Sequence, residues 1–178
     1  QSLSVGNCVN TIDSCVFCYV ETLNDVSISS SVTSINESAF YACHGLSSVT
    51  FDSNSQLAVI GKNAFEGASM SEIILPNTLT TIGESAFDEC YHLNAVTIPS
   101  GVTSIGNNAF YLCKGIAFLD FSNHTSVPTL SNTNAFSSVA SDLKIVVPDA
   151  LYDEWIAATN WSSTSVSKYI VKASVFNE

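Results

Sequence analysis

LPNTLTTIGESAFDECYHLNAVTIP (Leu75–Pro99), followed without a break by SGVTSIGNNAFYLCKGI (Ser100–Ile116), is one motif written twice. Its centre is the dipeptide Ala-Phe, found at Ala86-Phe87 and Ala109-Phe110. The same dipeptide stands at Ala39-Phe40, Ala64-Phe65 and Ala135-Phe136, with Val16-Phe17 as an earlier copy. The steps from Phe to Phe are 23, 25, 22, 23 and 26 residues. A period in the twenties marks stacked supersecondary units, none of which can bury its apolar face alone. Such an architecture offers long lateral surfaces and points to binding before catalysis.

The register extends well beyond the dipeptide. Ile12, Ile35, Ile60, Ile82 and Ile105 each stand five residues before a Phe, and Val20, Cys43, Ala68, Cys90, Cys113 and Val139 stand three after one. Nine and eleven after come pairs such as Val26 and Ile28, Val49 and Phe51, or Leu119 and Phe121. That alternation predicts a short strand with one buried face. Around Ala86, Phe87 and Cys90 the apolar spacing of one, three and four predicts a helical turn. The residue after each Ile is Asp13, Asn36, Gly61, Gly83 or Gly106, types that tolerate turns and left-handed backbone, so a tight corner is expected there. About six such units stack into a right-handed α/β solenoid with one parallel sheet. The copy around Met70 is a residue short, and the last copy slips by one to Leu130 and Leu143.

The order Ile-Gly-x-x-Ala-Phe-x-x-Cys-x-x-Leu-x-x-Val-x-Ile-Pro resembles the BspA-like leucine-rich repeat family, over roughly Val9 to Pro148. Membership implies a leucine-rich-repeat solenoid, secretion or surface anchoring on a host-associated microbe, and in some members adhesion to host matrix proteins. It does not imply a particular ligand. The expected organisation is an N-terminal cap over residues 1–11, the solenoid over 12–148 and a C-terminal cap over 149–178. In that cap Asp149 is expected to cap a helix reaching Ala158, with Leu151, Trp155 and Ala158 on one stripe. Residues 165–171 then alternate like a strand, with Val166 and Ile170 inward. Trp155 and Trp161 are expected to pack over the open end of the apolar interior.

Composition narrows the function. The formal net charge is −11, with five Lys and no Arg. This excludes nucleic acid, which is held by basic patches, and disfavours an anionic membrane surface. No apolar run approaches the ~20 residues of a spanning helix, and a leader removed ahead of Gln1 is expected. Metal and cofactor are not expected. His44 and His92 lie two rungs apart, about 10 Å, too far to share a zinc ion, and no nucleophile elbow, P-loop or dinucleotide glycine motif is present. Asn36, Asn123 and Asn160 open glycosylation triplets that chance explains in so Ser- and Thr-rich a chain.

Six cysteines divide into two groups. Cys43, Cys90 and Cys113 share an inward repeat position with Val and Ala and are read as small hydrophobes; Cys90 and Cys113, on adjacent rungs, are near enough for a disulfide. Cys15 and Cys18 map to outward positions, so a disulfide from Cys8 to Cys15 or to Cys18, stapling the N-terminal end, is expected.

The candidate ligand face is the outward side of the strands, eight and ten residues after each Phe, or seven and nine in the copy that is a residue short. There Glu72, Ile74, Ala95, Thr97, Phe118, Asp120, Lys144 and Val146 form the half that carries apolar residues. Either a partner meets Ile74, Phe118 and Val146, or the insertion Ser122 to Pro128 folds over Phe118. The functional expectation is a non-catalytic, monomeric, cell-surface or secreted module that recognises a host protein or glycan. The alternatives are a structural spacer within a larger surface protein and an accessory carbohydrate-binding module.

Overall fold

The fold was obtained as a computed structural model, which describes residues 1–176. It is a parallel β-solenoid of about seven turns. A typical turn has a strand on one face, a two-residue strand on a second face, and a turn segment between them. The strands follow in the order β1 (Ser2–Val5), β2 (Thr11–Ile12), β3 (Asp25–Ile28), β4 (Ser34–Ile35), β5 (Ser48–Phe51), β6 (Val59–Ile60) and β7 (Thr81–Ile82). They continue with β8 (Ala95–Thr97), β9 (Ser104–Ile105), β10 (Phe118–Asp120), β11 (Thr129–Leu130), β12 (Lys144–Val147) and β13 (Ile170–Lys172).

Two faces, and not one sheet, result. The Ile positions and their predecessors build a continuous six-stranded ladder, β2-β4-β6-β7-β9-β11. The longer strands form a second face that is broken into β1-β3-β5 and β8-β10-β12-β13. Registers follow the repeat, with Val26 opposite Val49 and Leu119 between Val96 and Ile145. The extra turn relative to the expected six begins at β1, which pairs with β3 from within residues 1–11.

From Phe17 to Phe110 the segment around the Phe is not a helix; only at the last rung does a 3-10 turn, Thr133–Phe136, take its place. On those rungs without a helix the residues two before and two after the Phe have left-handed backbone, as at Ser85 (φ 50) and Glu89 (φ 57). That alternation points amides along the stack: Ser85, Phe87 and Glu89 donate to the carbonyls of Asn107, Ala109 and Tyr111 on the next turn. Apolar spacing alone could not separate this arrangement from a helical turn. The corner glycines serve a different purpose from the one expected. A Cβ on Gly83 would stand 2.6 Å from the Gly61 carbonyl carbon, so glycine there permits close stacking of backbones and not a left-handed φ.

The core is a column. Phe40, Phe65, Phe87, Phe110 and Phe136 are buried and stack with centroid separations of 5.4–6.1 Å, and Phe17 extends the column at the half-covered first rung. Its C-terminal end is closed by the cap. Phe121, Trp155 and Trp161 meet edge to face, and the Trp161 indole donates to the Pro128 carbonyl at 2.8 Å. The cap contains a 3-10 turn (Asp149–Leu151), α1 (Tyr152–Ala157), α2 (Thr164–Ser167) and α3 (Ala173–Phe176) around β13. Asp149 does not cap α1; its carboxylate accepts from the Ser174 amide at 3.0 Å. α2 takes in residues 165–167, which were expected within a strand, although Val166 and Ile170 do point inward.

Candidate functional site

The break in the strand face is where the surface departs most from its own pattern. The turn from Phe65 to Phe87 has 22 residues, the shortest of the stack. The missing residue falls between Ala68 and Ile73, so the chain reaches this face out of step with β5. Ile73 and Leu75 still bury their side chains. The backbone, however, makes only an isolated bridge, Glu72 with Ala95, where every other turn contributes a strand. β5 and β8 are thereby left as edges on either side.

Ile74 stands in this break with 85% of its surface exposed. It separates a groove of about 540 Å³ on the β8 side, lined by Glu72, Ala95, Thr97, Pro99 and Phe118, from one of about 330 Å³ on the β5 side. A third, of about 400 Å³, runs beneath it between Phe51 and Thr78. An isolated apolar side chain raised between grooves is a contact point that a polar, wet sheet does not otherwise provide.

The eight outward residues singled out from the sequence divide here. Glu72, Ile74 and Thr97 are exposed and Ala95 is half-buried, so these four do form a continuous surface. Val146 is buried, at 2% exposure, and Phe118 is half-buried. The cover is α3, whose Phe176 ring lies 5.5 Å from that of Phe118, and not the insertion Ser122 to Pro128. The insertion instead carries His124 into the cap, buried against Phe121 and Trp155. Asp120 is half-buried and accepts from the Ser122 amide, whereas Lys144 remains exposed. Which end of the chain would fold back over the sheet was not readable from periodicity, since α3 lies outside the repeat.

The cysteine expectation also needs correction. Cys15 pairs with Cys18, their Cα atoms 4.7 Å apart, and Cys8 is a free, exposed thiol. Cys15 has left-handed backbone (φ 56), which turns the chain so that two outward side chains three residues apart meet. Cys43, Cys90 and Cys113 are buried free thiols. Each donates to the carbonyl of the preceding turn's Phe, at 3.0–3.3 Å, and burial raises the pKa of each. Such thiols are inert.

Chemistry has little to work with on this surface. His44 is exposed, its Nδ1 3.0 Å from the Gly67 carbonyl oxygen, and His92 is exposed on another turn. Among the described residues no three His, Cys, Asp or Glu side chains converge as a metal site, and no helix is long and apolar enough to cross a membrane.

The profile of the BspA type leucine rich repeat region matches residues 10–144, in six copies. The chain belongs to this family. Its fold is similar to that of the pneumococcal vaccine antigen PcpA, with a TM-score of 0.71 and 25% identity over 84% of this chain and 40% of that one. A leucine-rich repeat protein of Bacteroides ovatus ATCC 8483 gives 0.55 and 21%, over 84% and 52%. A leucine rich cell surface protein of Faecalibacterium prausnitzii A2-165 gives 0.50 and 24%, over 82% and 47%. The chain thus spans about half the length of these relatives or less. Among curated proteins none matches it.

Proposed function

We propose that this leucine-rich repeat chain is a non-catalytic interaction module of a cell-surface or secreted protein, and that it recognises a host protein through the open part of the strand face, Glu72 to Thr97. The observation that carries the reading is Ile74, 85% exposed at a break in the sheet and flanked by grooves on both sides. A spacer would account for the small polar residues at Ser27, Ser48 and Thr50. It gives no reason for an exposed isoleucine at the shortest turn of the stack. The similarity to proteins described as a vaccine antigen and a cell surface protein supports the location.

The test is a host-protein array probed with the domain and with the double variant Ile74→Glu/Thr97→Lys. Both sites are exposed, so the fold is expected to survive. A binder of the wild type should lose at least about tenfold in affinity, since an apolar anchor is replaced by charge in the centre of the contact. Unchanged binding to the double variant would exclude this face, and an array without any binder would favour the spacer.

A further inference from the structure

The turn segments carry a second surface, on a different side of the stack from the strand face. The residue directly after each Phe points outward, and on four consecutive turns it is Tyr41, Glu66, Asp88 and Tyr111. Adjacent turns are separated by the 5.4–5.7 Å step of the Phe column, so these four side chains form one stripe. Tyr19 extends it with its ring edge-on to Tyr41 at 5.2 Å. Glu89 and Tyr91 flank it. Two carboxylates are therefore bracketed by phenol rings, and a third carboxylate lies alongside.

Asp88 is more than nine-tenths buried on this stripe. Its Oδ2 accepts from the Ser85 hydroxyl at 3.1 Å, but Oδ1 has no hydrogen-bond donor among the described residues. A buried carboxylate oxygen with nothing to accept from is costly unless a donor or cation arrives. Among the described residues the nearby lysines are already engaged. Lys62 is engaged with Glu84 at 2.9 Å, and Lys114 lies over the Tyr91 ring at 5.3 Å. That second contact shows that a phenol on this surface accepts an ammonium group. Burial pushes Glu66 up to about 7, reinforced by Asp88 and Glu89, and pushes Asp88 up to about 6. Both carboxyls would ionise more readily beside a positive charge.

We propose that the stripe Tyr41–Glu66–Asp88–Tyr111 receives a lysine side chain of a partner protein, its ammonium donating to Glu66 and to Asp88 Oδ1 and its methylenes lying against the flanking phenol rings. The Glu66 carboxylate is half-buried and makes no side-chain hydrogen bond among the described residues, so it has acceptor capacity for the ammonium. A compact ammonium suits the site better than a metal ion, because three ligating side chains do not converge there. A net charge of −11 steers a basic segment toward the molecule, and the stripe gives it a place to stop. This surface is independent of the strand face and of any partner bound there.

The test uses a fluorescently labelled octalysine peptide and measures anisotropy at pH 8 in physiological salt. The wild type should bind, and Glu66→Gln/Asp88→Asn should weaken binding by about tenfold or more. The control Asp153→Asn/Glu154→Gln removes the same charge from exposed positions on α1 and should change affinity less than about twofold. Glu66→Gln alone, at a part-exposed position, should weaken binding about fivefold and keeps the test decisive if the double variant unfolds. No binding by the wild type, or equal losses in the stripe and control variants, would overturn the proposal, since bulk charge would then explain the result.

Discussion

Phe87 sits in the middle of the column, with Phe65 and Phe110 stacked on its two sides at 5.7 and 5.4 Å and none of its own surface exposed. Rigid backbones above and below leave little room for collapse into a cavity. Phe87→Ala should therefore cost about 3–5 kcal/mol, from lost transfer energy together with the cavity. Phe17 has a neighbour on one side only and is half-covered, so Phe17→Ala should cost about 1–2 kcal/mol. Urea denaturation of both variants checks the contrast, and equal losses would mean that position in the stack is irrelevant. The Phe ladder was legible from the 22–26-residue spacing. The Cys15–Cys18 bond was not, because the pairing depends on a left-handed φ at Cys15, which no residue type at that position announces.

At the scale of elements, the insertion between β10 and β11 was one of two candidates to cover Phe118, and it lies in the cap instead. His124 is its anchor, packed on Phe121 and Trp155, with Nδ1 near the Phe121 carbonyl and Nε2 without a partner among the described residues. Burial lowers its pKa; the Phe121 and Val102 carbonyls and the charge of Asp120 oppose that only in part. A lowered value means that the native state resists protonation while the unfolded chain does not. The linked stability is complete above the ordinary histidine value of 6.5 and is lost as pH falls from there through the lowered native value. Wild type should accordingly lose more stability between pH 7.5 and pH 5 than His124→Leu does. Parallel urea titrations at the two values measure this, and identical losses would show that His124 is not the group responsible. The cap's other elements were partly readable: Trp155, Trp161, Val166 and Ile170 point inward as their spacing indicates. The helical form of residues 164–167 follows from docking onto the solenoid end and not from their own alternation.

Along the Phe column each rung stacks on its neighbours, so stability there should be a sum of rung and interface contributions. Phe→Leu replacements, each costing about 1.5 kcal/mol or less, make this measurable. Phe40 and Phe110 are separated by two rungs, and their double variant should be additive within about 0.5 kcal/mol. Phe87 and Phe110 are in contact, and their double variant should deviate by more than that. A double-mutant cycle that showed equal coupling in both pairs would argue against nearest-neighbour stacking. The sequence by itself determined the repeat, its phase, which residues form the core and the family. These depend on side-chain burial at fixed intervals, a local property that every copy restates. Only the tertiary structure decided that the stack has two strand faces, that the turns around Phe17 to Phe110 bond along the axis, and that α3 covers Phe118 and Val146. The same holds for Ile74, left bare beside the groove. In each case the outcome depends on where one turn's backbone meets the next, and a one-residue deletion near Met70 changes that meeting without changing which residues are apolar.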